Sequence, residues 1–389
     1  MKAEDLSAQE AAERLGVKLS TLYAYASRGL IRSRGRGKYS REDVERLLAE
    51  RDGRHNPLTA FSDPLHFGVP LLSSGLTYIG AGRYYYRGID ALDLAGRASV
   101  EQVANLLWSG VEESALPGPR RPAPELPGHQ DLVTALGMRL VLAAHVDWAA
   151  SAADPRSQLL SAVSVLELLY SSAERQSGLE PRPELPLHRR LGRAWRASGA
   201  QEELLRTALI LSADHELNAS SFTARCAASS GATLYHAALA GWCALQGSHH
   251  GQMSVRCAAL LAGAEVHGAE RAMATALERW GEVPGFGHPL YPEGDPRGRL
   301  LTERVLESHA DRAGAVAELC GVARQRLGLS PNLDLGLAAV TRSLGRPERE
   351  ALALFALGRA VGWLAHSLEA QRQGVTVRPR ARYSGPGPS

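Results

Sequence analysis

Apolar residues recur at spacings of three and four in the segments 99–108, 159–171, 202–214 and 348–370. That period lays one apolar stripe along a helix and does not serve a strand, whose faces alternate every second residue. Strand-like alternation is scarce, with minor β expected only near residues 77–86. The bulk of the chain is therefore committed to a mainly α fold. Pro-rich stretches at 116–127 and 180–186 read as surface loops between helices. No continuous apolar run approaches the roughly 20 residues of a membrane helix. The longest, 351–365, is interrupted by Arg359. Met1-Lys2-Ala3-Glu4-Asp5 lacks the apolar core of a signal peptide. The expectation is a cytoplasmic protein with no membrane partner.

Residues 1–52 differ from the rest. Ser7-Ala8-Gln9-Glu10 is a capping box opening an amphipathic helix with Ala11, Ala12 and Leu15 inward and Gly16 as its stop. Ser20 is expected to cap a second helix over 21–27, with Leu22 and Tyr25 on one face and Gly29 ending it. A glycine-broken basic stretch comes next, at 32–39. Ser40 then caps a third helix with Val44, Leu47 and Leu48 at core spacing. Helix, tight turn, helix, basic hairpin, helix is a winged helix-turn-helix layout. The segments Ala11-Ala12-Glu13-Arg14-Leu15-Gly16-Val17, Thr21-Leu22-Tyr23, Arg28-Gly29-Leu30-Ile31 and Lys38-Tyr39-Ser40-Arg41-Glu42-Asp43-Val44 resemble MerR-like and excisionase-like heads.

The net charge of +3 over 389 residues makes no global demand for nucleic acid. Locally the balance differs, since residues 28–41 hold six basic side chains. Arg28, Arg32, Arg34, Arg36 and Lys38 are the candidates for phosphate contacts on double-stranded DNA, and Thr21 and Tyr23 for the groove-facing helix. The other reading is a solvated wing on a silent module.

Four cysteines with no CxxC pair exclude a zinc finger or a disulfide scaffold. Lysine occurs only at Lys2, Lys18 and Lys38, so any later anion site must use Arg, His or backbone N–H groups. Four stretches carry polar residues that a helical core would avoid. They are Ala213-Asp214-His215-Glu216-Leu217-Asn218-Ala219-Ser220-Ser221, Gly247-Ser248-His249-His250-Gly251, Pro284-Gly285-Phe286-Gly287-His288-Pro289-Leu290-Tyr291 continuing to Asp295-Pro296-Arg297, and Pro331-Asn332-Leu333-Asp334. Taken singly, each has a plain alternative. His215 suits a satisfied core histidine as well as a ligand. His249 and His250 lack the spacing that would join them to a metal partner. Gly285-Phe286-Gly287 makes a turn or lets backbone approach a ligand. Asp334 serves a helix cap or a reaction.

In this order and spacing the four stretches resemble the citrate synthase family, including its 2-methylcitrate synthase relatives. Tyr86-Arg87-Gly88-Ile89 and Val103-Ala104-Asn105-Leu106-Leu107-Trp108 resemble that family's opening segment. The resemblance implies a two-domain helical fold: a large domain over 56–240 and 346–389, and a small domain over 241–345 that closes on the cleft. It implies Claisen condensation of acetyl-CoA or propionyl-CoA with oxaloacetate, then thioester hydrolysis, with no metal or organic cofactor beyond the CoA substrate. Asp334 would be the base, His250 the donor to the thioester oxygen and His288 the donor to the keto carbonyl. His215, Asn218, Arg297, Arg359 and Arg378 would bind oxaloacetate, with Arg378 reaching the partner's site in a homodimer. Guanidinium forks suit the two carboxylates of that acid.

The chain departs from the family pattern after Gly251, where Gln252-Met253-Ser254 replaces smaller residues, and at Pro292, where a basic residue is common. Arg256 or Arg299 would then supply the charge for CoA phosphate. These departures, with the basic wing, leave a second function open: a DNA-binding transcription regulator whose synthase-like body senses oxaloacetate or acyl-CoA.

Overall fold

The computed structural model describes residues 5–27, 31–35, 37–41, 43–44, 72–112, 116, 131–152, 154–308, 310–381 and 385. They fall in two compact units, one within Met1–Ser73 and Pro379–Ser389, the other Ser74–Arg378.

The first unit holds β1 (Leu6–Ser7), α1 (Ala8–Leu15), α2 (Leu19–Ser27), β2 (Ser33–Gly35) and β3 (Lys38–Tyr39), with β3 central and antiparallel to both other strands. The capping box closes as the sequence demands. Glu10 N–H donates to Ser7 Oγ at 3.3 Å and Ser7 N–H to Glu10 Oε2 at 2.8 Å. Ala11, Ala12, Leu15, Leu22, Ile31, Tyr39 and Val44 form a small core. Helix α2 starts earlier than expected, because the Lys18 carbonyl accepts the N–H groups of Thr21 and Leu22 at 2.9 and 3.1 Å. Ser20 thus lies inside the first turn. Ser40 does cap the third helical stretch, accepting Asp43 N–H on its hydroxyl at 3.4 Å. Gly29, Leu47 and Leu48 lie outside the described residues.

The second unit begins with an antiparallel sheet of β4 (Thr77–Gly80), β5 (Arg83–Tyr86) and β6 (Ile89–Asp90). The α-helices described in this unit come after it in chain order. They are α3 (Ala91–Arg97), α4 (Val100–Ser109), α5 (Leu132–Val146), α6 (Pro155–Gln176), α7 (Leu187–Trp195), α8 (Gly199–Ser212), α9 (Ala219–Ser229), α10 (Leu234–Leu245), α11 (Gln252–His267), α12 (Ala269–Trp280), α13 (Pro296–Ser308), α14 (Ala310–Leu327), α15 (Leu333–Ser343) and α16 (Glu350–Gln373). Helix α16 is long and apolar enough to cross a membrane, yet its apolar window is wholly buried in this unit. It packs against α4, α8, α9, α10, α11 and α15. Its period suggests a single apolar stripe, but the helix is buried all round its circumference from Ala351 to Leu368. Trp363 on α16 and Trp108 on α4 are the largest fully buried side chains among the described residues, and Trp108 Nε1 donates to the Val361 carbonyl at 3.0 Å. Burying each such ring stabilises the fold by roughly 1.5–3 kcal/mol or more.

The sheet does more than fill space. Alternation along β5 turns Tyr84 and Tyr86 inward, edge to face at 5.5 Å, both fully buried. Their hydroxyls donate to carbonyls at the end of α8, Tyr84 to Leu211 at 3.3 Å and Tyr86 to Ile210 at 2.9 Å. Carbonyls in a helix's last turn lack a helical partner of their own. The pair thereby anchors the point where the chain leaves α8.

Candidate active site

Helix α8 stops at Ser212, two residues short of the periodic pattern. Arg359 Nε, from α16, donates to the Ser212 carbonyl at 2.6 Å, and Tyr86 Oη accepts Asp214 N–H at 3.2 Å. The chain then turns through Glu216, held at φ 52°, in the left-handed region. Asn218 caps α9, its Oδ1 accepting Ser221 N–H at 3.2 Å. His215 is left between the two helices, buried.

The second wall is a two-strand bridge between distant loops. Phe286 pairs with Pro331, Gly287 N–H donates to Ser330 O at 2.9 Å, and Asn332 N–H donates to Gly285 O at 2.9 Å. Gly285 has φ 92°, and a Cβ there would fall 2.9 Å from Cys257 Sγ and Leu335 Cβ. Only glycine satisfies both limits. The bridge brings His288 beside the start of α15, where Asn332 Oδ1 accepts Asp334 N–H at 3.1 Å. Asn332 is therefore the cap, and Asp334 is not.

Asp295 ties this wall together. Its carboxylate accepts Arg297 Nε at 2.9 Å and Nη2 at 2.8 Å, and also Leu333 N–H at 3.1 Å. Burial works against its charge, but Arg297 holds its pKa below the usual carboxylate range. The Arg297 guanidinium lies over the rings of Tyr84 and Tyr291, 5.7 and 5.4 Å from their centroids. Arg359 lies 4.9 Å over Phe355, and the Phe355 ring meets His250 edge-on at 5.8 Å. Burial brings the Arg359 pKa down to about 10, with Asp214 opposing, so it stays cationic at neutral pH.

The three histidines are all neutral. Burial, then Arg297 and His288, push His215 well below the usual imidazole value. Burial and Arg297 bring His288 down to about 4. Burial, followed by Arg359, brings His250 down to about 3. Neutral imidazoles suit hydrogen-bond donation without a net charge in the cleft. His288 Nδ1 accepts Leu290 N–H at 3.1 Å, so its own proton sits on Nε2. His250 Nε2 lies 2.8 Å from Ser220 Oγ, which accepts Trp363 Nε1–H at 3.0 Å and donates its own proton to Asn218 Oδ1 at 2.9 Å.

Asp334 has the opposite anomaly. Burial pushes its pKa up to about 7, although Arg297 opposes, and its Oδ1 has no hydrogen-bond partner. A carboxyl poised near neutrality with a lone pair unused is equipped to take a proton.

His215, Asn218, His250, His288, Arg297, Asp334 and Arg359 thus converge through these contacts. Arg378 does not join them in the single chain, where it is exposed beyond α16. Sequence reasoning missed Ser220, Tyr291, Asp295 and Phe355 as members of the site. Asp295 and Tyr291 stand within the motif around His288 but have no task assigned by it, and Phe355, one turn before Arg359, reads as core. Of the CoA candidates, Arg256 lies 5.7 Å over the Trp280 ring and pairs with Glu282 at 3.3 Å, while Arg299 is exposed.

In the first unit, Tyr23 is exposed, Thr21 half-buried and Lys38 exposed. Arg32 is engaged within the fold, its Nε and Nη2 bonding Asp43 at 2.8 and 3.0 Å. It pins the wing to the third helical stretch. Arg28, Arg36 and the side chain of Arg34 lie outside the described residues.

Two family models match the chain: "Citrate synthase, C-terminal domain" over residues 66–380 and "Helix-turn-helix domain" over 6–52. Citrate synthase of Haloferax volcanii is 31% identical over 82% of this chain and 94% of its own. Citrate synthase 2 of Bacillus subtilis is 30% identical over 82% and 95%. The crystal structure of citrate synthase from Thermotoga maritima superposes with a TM-score of 0.68 at 26% identity, covering 83% of this chain and 95% of that one. Matched over most of its length, with a helix-turn-helix head in front, this chain belongs to the citrate synthase family and is an enzyme of that acyltransferase type.

Proposed function

We propose that the protein condenses acetyl-CoA or propionyl-CoA with oxaloacetate and hydrolyses the resulting thioester to citrate or 2-methylcitrate and CoA. It would act in the cytoplasm, with the CoA thioester as substrate and no further cofactor. The observation that carries this reading is the pairing of an unpartnered, near-neutral Asp334 with three neutral imidazoles and two buried guanidinium groups.

Asp334 takes a methyl or methylene proton beside the thioester. His250 donates to the thioester oxygen as the enolate forms, which needs its proton on Nδ1 and the Ser220 O–H turned from Asn218 Oδ1 to His250 Nε2. The enolate carbon attacks the keto carbon, whose oxygen accepts a hydrogen bond from His288 Nε2–H. Arg297 and Arg359 hold the two carboxylates with His215. Water then cleaves the thioester and releases CoA. His288, Arg297 and Asp334 all lie within 241–345, so closure of a small domain with those bounds would complete the site and exclude water.

We extend the reading to a homodimer in which Arg378 enters the partner's site. Met138, Val141, Leu142 and Val146 make an exposed apolar stripe along α5. A second copy of the chain is the occupant such a stripe suits.

Thiol release from each acyl donor, with oxaloacetate present or omitted, tests this reading. Release that requires oxaloacetate is the expected result and ranks the two donors, whose difference of one methylene is worth only about 1–3 kcal/mol in a pocket. Absence of release with both donors, in folded dimeric protein, overturns the reading.

The head supports a second activity, binding to double-stranded DNA. A helix-turn-helix match over 6–52 and exposed Tyr23 and Lys38 favour it. Affinity should fall steeply with salt, and Lys38→Ala should lower the log–log salt slope by about 1. Anisotropy titrations with and without oxaloacetate and acetyl-CoA separate a ligand sensor from an independent head. Salt-insensitive or absent binding removes the DNA function.

A further inference from the structure

We propose that Tyr291 is a positioning residue: its phenolic O–H donates to His215 Nε2 and fixes that imidazole in the Nδ1–H tautomer. The assignment rests on the reading of this cleft as a keto-diacid site, since it says which nitrogen of His215 is offered to the diacid.

The Tyr291 Oη to His215 Nε2 separation is 2.8 Å, with 2% of Tyr291 and 6% of His215 exposed. Two arrangements satisfy that distance. In one the phenol donates and Nε2 accepts; in the other Nε2–H donates and the phenol accepts. The surroundings choose between them. The His215 contact is the one hydrogen bond Tyr291 Oη makes among the described residues. If it accepted there, its own proton would be buried without an acceptor, at a cost of about 1–3 kcal/mol. Burial also raises the phenol pKa, so the proton is present at neutral pH. His215 cannot evade the choice by taking a second proton, because burial, with Arg297, His288 and Arg359 around it, keeps it neutral.

The same short turn that carries Tyr291 controls the other histidine. Leu290 N–H donates to His288 Nδ1 at 3.1 Å, and Tyr291 N–H donates to His288 O at 2.9 Å. The rings of His215 and His288 meet edge-on at 5.3 Å. One turn therefore sets both protons, leaving His288 with Nε2–H and His215 with Nδ1–H. Two neighbouring neutral imidazoles then each offer a donor to the diacid. Arg297, 5.4 Å over the Tyr291 ring, holds the phenol in place.

The test is long-range proton–nitrogen correlation NMR on protein labelled with 15N-histidine, with His215 assigned by its loss in His215→Gln. The wild type should show the Nδ1–H form of His215, and Tyr291→Phe should lose that single tautomer. An Nε2–H wild type overturns the proposal without any turnover assay. So does an unchanged tautomer in Tyr291→Phe. The phenylalanine keeps the ring against Arg297 and His288 and removes only the hydroxyl. It should weaken oxaloacetate about tenfold, read as KM or by calorimetry, with kcat changed by no more than about threefold. Unaltered oxaloacetate affinity would also overturn it. Failure of thiol release alone counts against the synthase reading and leaves the tautomer result standing.

Discussion

Asp334→Asn is expected to lower kcat for thiol release by about 10²- to 10⁴-fold, the range supplied by a positioned general base. Oxaloacetate affinity should stay within about twofold, because the guanidinium and imidazole groups that would hold it are untouched. The amide fills the same volume and cannot accept the proton. The pH profile provides an independent check. Burial raises the Asp334 pKa to about 7, so the protonated, inactive form grows as pH falls below that value. Wild-type kcat/KM should therefore climb about tenfold per pH unit up to neutrality and level off above it. His288 and His250 titrate near 4 and 3 and add no limb in this window. Unchanged turnover in the asparagine variant would rule out Asp334 as the base. A profile flat from pH 5 to 8 would contradict its raised pKa.

The second large effect comes from a residue with no side chain. A Cβ on Gly298 would lie 2.2 Å from the carbonyl carbon and oxygen of Asn332. That obstacle is backbone and cannot rotate away, so α13 and the start of α15 must part. Arg297 and Asp334 flank this contact in the sequence and would move relative to each other. Overpacking of this kind costs about 1–3 kcal/mol, and a shift of about 1 Å in a reacting group costs about 10²-fold in rate. Gly298→Ala should therefore lower both the melting temperature and kcat. Gly321→Ala is the control, since a Cβ there meets nothing within 4 Å. It lies inside α14 and should stabilise by about 0.5–1 kcal/mol. Equal behaviour of the two variants would show that the helix contact does not set the site.

Several features were legible because they depend on residues a turn or less apart. The capping box at Ser7, the stripe Ala11, Ala12 and Leu15, and the helical character of 348–370 all come from local period and end chemistry. Where neighbours along the chain compete, local reading slipped. Ser20 is displaced as the cap of α2 by the Lys18 carbonyl, and of the two roles open to Asp334 the cap of α15 falls to Asn332. The depressed pKa of His250 comes from burial first and Arg359 second, and both depend on segments far from it in the chain. Where helix α8 ends, the Ser212 carbonyl is satisfied by Arg359, 147 residues away in the chain.

Residue order and period alone commit this chain to a mainly α fold, a helix-turn-helix head and four polar stretches bearing the right residue types. What those residues are worth depends on packing between distant segments. Neutral histidines and a near-neutral aspartate arise from burial, which needs the whole unit to exclude water. The pairings of Tyr291 with His215, Asp295 with Leu333 N–H, and Arg32 with Asp43 join separate segments as well. Local chemistry names the donors and acceptors; packing selects which of them meet.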